Sequence, residues 1–350
     1  MKKENNIKKN NMKASALLQL SLFFGFIIIV FILLYKPLVN FKSNESYPDI
    51  TPLTPSKITA LKGSPVPVEV GIYIKDMPNF DIIRGNFLFD LTIWFKFDNR
   101  LVSLERISKF KFDKATIIEK SRPHIKIEKD KIIARYDVKI NLDTTLNYKD
   151  FPLDDHRLSI SLTNYQFTPS DVIFESSMLD FVINPKIQTT GWKRIAKEVA
   201  TGFLEDKTYY GKKANIIHHP RIIFSLYFAK IGIRHIMTVL LPLLMIFFIA
   251  IITLTFDPFG PKRSNITPIS VAAVTAIIAH RFIIDHMAPK TGYFMISDLF
   301  FFLFLLGCIV IFIINLFSAK ISGYKKNITV IILYILSIIA FIYILYPLLI

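Results

Sequence analysis

The residues best placed to do chemistry lie in one stretch, 267–294, TPISVAAVTAIIAHRFIIDHMAPKTGYF. Ala272, Thr275, Ala276 and Ala279 recur at three- and four-residue spacing, so on a helix they share one face. Val271, Val274, Ile278 and Arg281 mark another. A helix that only sat in lipid would be bulky and apolar all round. Small, weakly polar residues on one stripe have two uses. They let helices approach closely. Alternatively they form a wall facing water, which would also give His280, Arg281 and Asp285 a polar direction. The spacing alone leaves both open. Covalent chemistry is not indicated: the chain offers no nucleophile–base set, phosphate loop or catalytic carboxylate pair, and an enzyme is not expected. His218 and His219 are adjacent, but nothing at ligand spacing accompanies them, so neither a metal nor another cofactor is expected.

Composition sets the frame for this stretch. A length of 350 residues allows two or three domains. With 52% hydrophobic residues the chain is too apolar for an ordinary soluble enzyme, and membrane-length apolar runs explain the excess. A net charge of +16 raises nucleic acid as a partner, but the placement of the charge argues otherwise. Residues 37–235 hold 30 Lys/Arg against 23 Asp/Glu, while the rest holds 13 against 4, set beside the apolar runs. That is the footprint of membrane orientation, so the expected partner is lipid and not nucleic acid. The single cysteine, Cys308, excludes an intrachain disulfide.

Residues 1–16 are rich in Lys and Asn and precede an apolar run over 17–35. No small-residue cleavage site follows, so 1–36 read as a basic cytoplasmic head with an uncleaved signal-anchor helix. Residues 37–67, containing YPDITPLTPSKI, read as a linker. Over 68–233 the apolar period becomes two. FLFDLTIWFKF and KIIARYDVKI alternate plainly, IKIEKDKII predicts a hairpin turned at 128–131, and RLSISL and RIIFSLYF read as further strands. An antiparallel β-sandwich is expected there. Apolar runs at 236–256, 268–284, 295–317 and 328–350 then predict a four-helix transmembrane domain over 234–350. Its second helix spans 266–284 with Thr267 as cap and Pro268 in the first turn. The fold class is thus a membrane protein of β + α type. By the positive-inside rule the head and the loops with Lys262, Arg263, Lys320, Lys325 and Lys326 are cytoplasmic, and the β domain and C-terminus are extracytoplasmic.

This order of elements resembles the pentameric ligand-gated ion channels, the Cys-loop receptor superfamily. Phe151-Pro152-Leu153-Asp154 is similar to the family's aromatic-Pro-apolar-Asp loop signature. Ala288-Pro289-Lys290-Thr291-Gly292-Tyr293 is similar to its linker between the second and third helices. Asp298, Pro242, Asp98-Asn99-Arg100-Leu101 and Thr190-Gly191-Trp192 stand where the family has an acid, a first-helix proline and two strand motifs. Thr144 and Leu158 occupy the positions of the animal disulfide, so the resemblance is to the bacterial branch and implies a plasma (inner) membrane of bacterial type. The segment 102–124 lacks the family's tryptophan-proline motif, and the N-terminal anchor is unusual for it.

The resemblance implies a homopentamer that passes an inorganic ion when a small molecule or a proton binds the outer β domain. It implies a pore lined by Pro268, Ala272, Thr275, Ala279, Phe282 and Asp285. It implies coupling through Phe151, Pro152 and Asp154, the last paired with Lys230, facing Pro289, Lys290 and Tyr293. A ligand would meet Tyr165, Phe167, Tyr209 and Tyr210, with Trp94 from the neighbouring subunit. The usual bulky ring at mid-helix is replaced by Thr275. The rival expectations are a non-conducting sensor or scaffold of the same architecture and, behind it, a transporter, for which no internal repeat is found.

Overall fold

The computed structural model describes residues 2–54, 64–210, 213–231, 233–255, 263–317 and 323–349. Side chains at 2–13, 15, 16, 208–210, 213–215, 255, 263–265, 323 and 324 are outside this description. So are the basic connections 256–262 and 318–322 and the linker residues 55–63. The chain divides into two compact units. A β unit comprises Ser43–Asn147 and Asp155–Ile231, and a helical unit comprises Met1–Lys42, Tyr148–Asp154 and Gly232–Ile350.

In chain order the strands are β1 (Thr51–Pro52), β2 (Val66–Asp81), β3 (Asn86–Phe97), β4 (Lys111–Phe112), β5 (Ala115–Lys120), β6 (His124–Glu128), β7 (Lys131–Asp143), β8 (His156–Thr163), β9 (Val172–Glu175), β10 (Phe181–Ile183), β11 (Trp192–Tyr210) and β12 (Lys213–Lys230). One sheet runs β1-β11-β12-β8-β4, and the other β10-β2-β3-β7-β5 with β6 on β7 and β9 on β2. Period-two alternation puts one apolar row of the long strands β3 and β7 inside. Phe89, Leu91, Ile93 and Phe95 of β3 and Tyr136, Val138 and Ile140 of β7 are buried, as are Leu158 of β8 and Phe224 of β12. Rings from the two sheets meet in this core, Phe80 with Phe228 at 4.8 Å and Phe181 with Phe224 at 5.2 Å. The hairpin closes as the sequence predicts, Glu128 opposite Lys131 with Lys129 at φ +56. One departure is that β9 and β10 both pair with β2 in parallel. The chain enters β9 from β8, in the other sheet, and β10 from β9, so neither is joined to β2 by a hairpin that would force it antiparallel.

Residues 43–54 are not a free linker. The Glu45 carboxylate lies 2.6 Å from His156 Nδ1 and accepts the Arg157 N–H at 3.1 Å. The Tyr47 hydroxyl donates to Glu198 at 3.0 Å, and β1 pairs with β11 at Gly202 and Phe203. Only glycine fits at 202, because a Cβ there would stand 2.2 Å from Thr51 O. Burial, together with the Glu198 contact, pushes the Tyr47 hydroxyl up to about 12. Proline-rich composition told against a helix here but not against docking.

The helical unit holds α1 (Lys2–Val39), α2 (Arg234–Ile252), α3 (Arg263–Met287), α4 (Ile296–Leu316) and α5 (Gly323–Leu349). All five contain a segment long and apolar enough to cross a membrane. The first is part of the bundle. Gln19, Phe23, Phe26, Val30 and Leu34 form a buried stripe, with the Phe26 ring 5.8 Å from Tyr334 and 6.2 Å from Phe341 of α5. Lys36 and Lys42 donate to the carbonyls of Leu349 and Pro347, satisfying acceptors that the end of α5 leaves open. The expected start of the second helix is corrected. α3 begins at Arg263, so Pro268 lies inside it and Thr267 is not its cap. Residues 263–267 contain no helix breaker and Ile266 is buried, so packing carries the helix back through a ring that removes one amide–carbonyl bond.

Candidate functional site

A helix start leaves its first amides without acceptors. At α4 they are met in two ways. Asp298 turns back and accepts the Met295 N–H at 2.8 Å. The next two amides are taken by the loop 148–154: Ile296 N–H donates to Lys149 O at 2.9 Å and Ser297 N–H to Phe151 O at 3.0 Å. The loop holds its own shape through Phe151 N–H to Tyr148 O at 3.0 Å and Leu153 N–H to Asp150 O at 2.7 Å. From the preceding linker the Tyr293 hydroxyl accepts the Tyr148 N–H at 2.9 Å, and the Lys149 ammonium sits 5.9 Å from the Tyr293 ring. Phe151, Pro152, Leu153 and Pro289 are buried, whereas Lys290 is exposed. The phenylalanine-proline loop and the Pro-Lys…Tyr linker therefore meet inside one unit.

The same carboxylate reaches the pore-candidate helix. Asp298 is 3% exposed and pairs through Oδ1 with the Arg281 guanidinium of α3, which also lies 2.8 Å from Asp285 Oδ1 and 5.3 Å from the Phe301 ring centre. The i, i+4 pair with Asp285 is legible from spacing. The stronger partner, Asp298, is not, since it belongs to another helix.

Along α3 the packed face is Ile266, Ser270, Ala273, Ile277, His280 and Ile284. Ser270 and Thr253 accept from Asn315 Nδ2 at 2.7 and 2.6 Å, and His280 Nε2 lies 3.1 Å from Val239 O. Pro268, Ala272, Thr275, Ala279, Phe282 and Asp285 are all exposed within one chain, Phe282 by 74%. Val271 and Ile278 are exposed too, so the uncovered arc is wider than the small-residue stripe.

The sequence matches no family model and no curated protein.

Among the described residues, Phe167 does not stand beside Tyr165 in an open aromatic wall. Phe167 is 2% exposed beneath the Arg106 guanidinium, 4.1 Å from its ring centre, so it belongs to the core. Tyr165 is 37% exposed, 4.9 Å from the His219 ring and 5.8 Å from the Lys111 ammonium. Burial, with Asp113 nearby, raises the Tyr165 hydroxyl above its ordinary value. Behind it Arg221 is buried, donating to Thr163 Oγ1 at 2.9 Å and to Asp49 O at 2.7 Å and pairing with Asp113. Desolvation holds the Asp113 carboxyl above the usual carboxylate range although Arg221 pulls it down. Trp94 lies over Gly71, where a Cβ would stand 2.3 Å from the indole. The side chains of Tyr209 and Tyr210 lie outside the described residues. Asp154 is buried in the helical unit, and Lys230 is half-buried in the β unit with its ammonium 5.1 Å from the Trp192 ring.

Proposed function

We propose that this chain is a subunit of a homopentameric ion channel, lying in a bacterial-type plasma membrane, whose extracytoplasmic β unit responds to a small molecule or a proton. One observation carries the reading. Ala272, Thr275 and Ala279 on the small, weakly polar edge of α3 are exposed among the described residues of the chain, while Ala273, Ile277, His280 and Ile284 on another face of the same helix are buried. Burying five such edges around a common axis gives Thr275 and Ala279 a watery lining and sets Phe282 at a constriction that closes by dewetting. The resemblance in the 151–154 and 288–293 motifs supports the same reading and lends Asp154 and Lys230 a coupling role.

Native mass spectrometry of the detergent-solubilised chain is expected to give five copies, and one or two copies would remove the proposal. Ion flux from vesicles containing the purified chain is expected to change when Thr275 or Phe282 is replaced. A second reading, a non-conducting sensor of the same architecture, draws on Pro268 inside α3 and on Asp285 being tied to Arg281. It predicts five copies with no flux at any pH.

A further inference from the structure

We infer that Arg281 and Asp298 form the positioning pair through which the loop 148–154 sets the position of α3. The inference takes its purpose from the channel reading, but its geometry stands without it. Asp298 divides its two oxygens: Oδ2 fixes the Met295 amide and Oδ1 binds Arg281. The next two amides, Ile296 and Ser297, are held by loop carbonyls. A displacement of the loop therefore displaces the first turn of α4, and with it a buried carboxylate that grips α3 between Ala279 and Phe282. An ordinary apolar contact would slip under such a pull. A charge-assisted bond to a carboxylate that is almost fully desolvated resists it, because separation leaves an unpaired buried charge. The planar guanidinium also reaches Asp285, one turn further along α3. Lysine cannot hold two carboxylates in that fork geometry. Arg281 thus ties α3 to α4 through one nitrogen while another closes onto its own helix.

The test is hydrogen–deuterium exchange on the full chain in lipid nanodiscs, read at peptides covering 279–285 and 295–298. Asp298→Asn is expected to speed exchange at 295–298 by about tenfold or more, the equivalent of one charged hydrogen bond, whereas Asp285→Asn leaves it unchanged. The decisive comparison loosens the loop with Phe151→Ala. In the otherwise native chain this speeds exchange at 279–285. Combined with Arg281→Gln it adds nothing there beyond Arg281→Gln alone, and combined with Arg281→Lys it restores part of the response. An equal response with and without Arg281, or none in either background, overturns the inference. Absent ion flux in the native chain removes the channel reading and leaves this result standing. Flux with no Arg281 dependence of exchange removes the pair and leaves the channel.

Discussion

The loop region around α4 and the aromatic region around Tyr165 were both candidate sites, and they behave oppositely. At α4 the partners are dictated by need: a helix start requires acceptors, which the loop carbonyls and Asp298 supply, while the Tyr293 hydroxyl accepts an amide of the loop itself. Around Tyr165 nothing obliges aromatic rings to stay at the surface. Phe167 has dropped into the core, and Tyr165 is braced by His219 and Lys111. Backbone groups that a helix start requires hold a loop in place, whereas the exposure of an aromatic ring depends on which side its strand turns.

That contrast can be broken by substitution. The largest effect is expected at Arg281: Arg281→Met strands Asp298 in a dry site and lowers stability by about 3–5 kcal/mol, seen as a fall in Tm in detergent. A shift close to zero would mean that the pair is wet. In the β unit, Phe167→Ala is expected to destabilise by about 3–5 kcal/mol as a core deletion, with Tyr165→Ala costing far less. Equal and small losses would return Phe167 to the surface and restore it as a ligand wall. Tyr293→Phe removes the acceptor of one amide and is expected to cost about 0.5–1.5 kcal/mol, with faster exchange confined to the loop. The smallest effect concerns pH. Hydrogen bonds from the Lys75 ammonium and the Thr92 hydroxyl hold the Asp137 carboxyl below its usual range. Its contribution is therefore complete above about pH 4 and lost as pH falls through the lowered value. It amounts to less than about 1 kcal/mol because the network is half-exposed. Acid titration of Thr92→Val by circular dichroism should show that loss shrinking.

Much of the fold is written locally. Alternation in 86–97 and 131–143 and the turn at 128–131 appear where the sequence places them, because a strand with one buried face must repeat every two residues. The helices were legible from apolar length, but their ends were not. α3 runs through Pro268 because burial of Ile266 outweighs one lost hydrogen bond, a balance that propensity cannot weigh. At the site, the two motifs and the Arg281–Asp285 spacing were readable, yet Asp298 as the partner of Arg281 was not. Seventeen residues separate them, and only the crossing of α3 and α4 brings them together.

By itself the sequence determined that this is a membrane-associated chain with a β region followed by four long apolar helices. Apolar period and length are properties of neighbouring residues. Only the tertiary structure decided that residues 43–54 dock, that α1 joins the bundle, and which arc of α3 stays uncovered. Each of those outcomes depends on surfaces far apart in the chain competing for the same partners, and no local pattern records who wins.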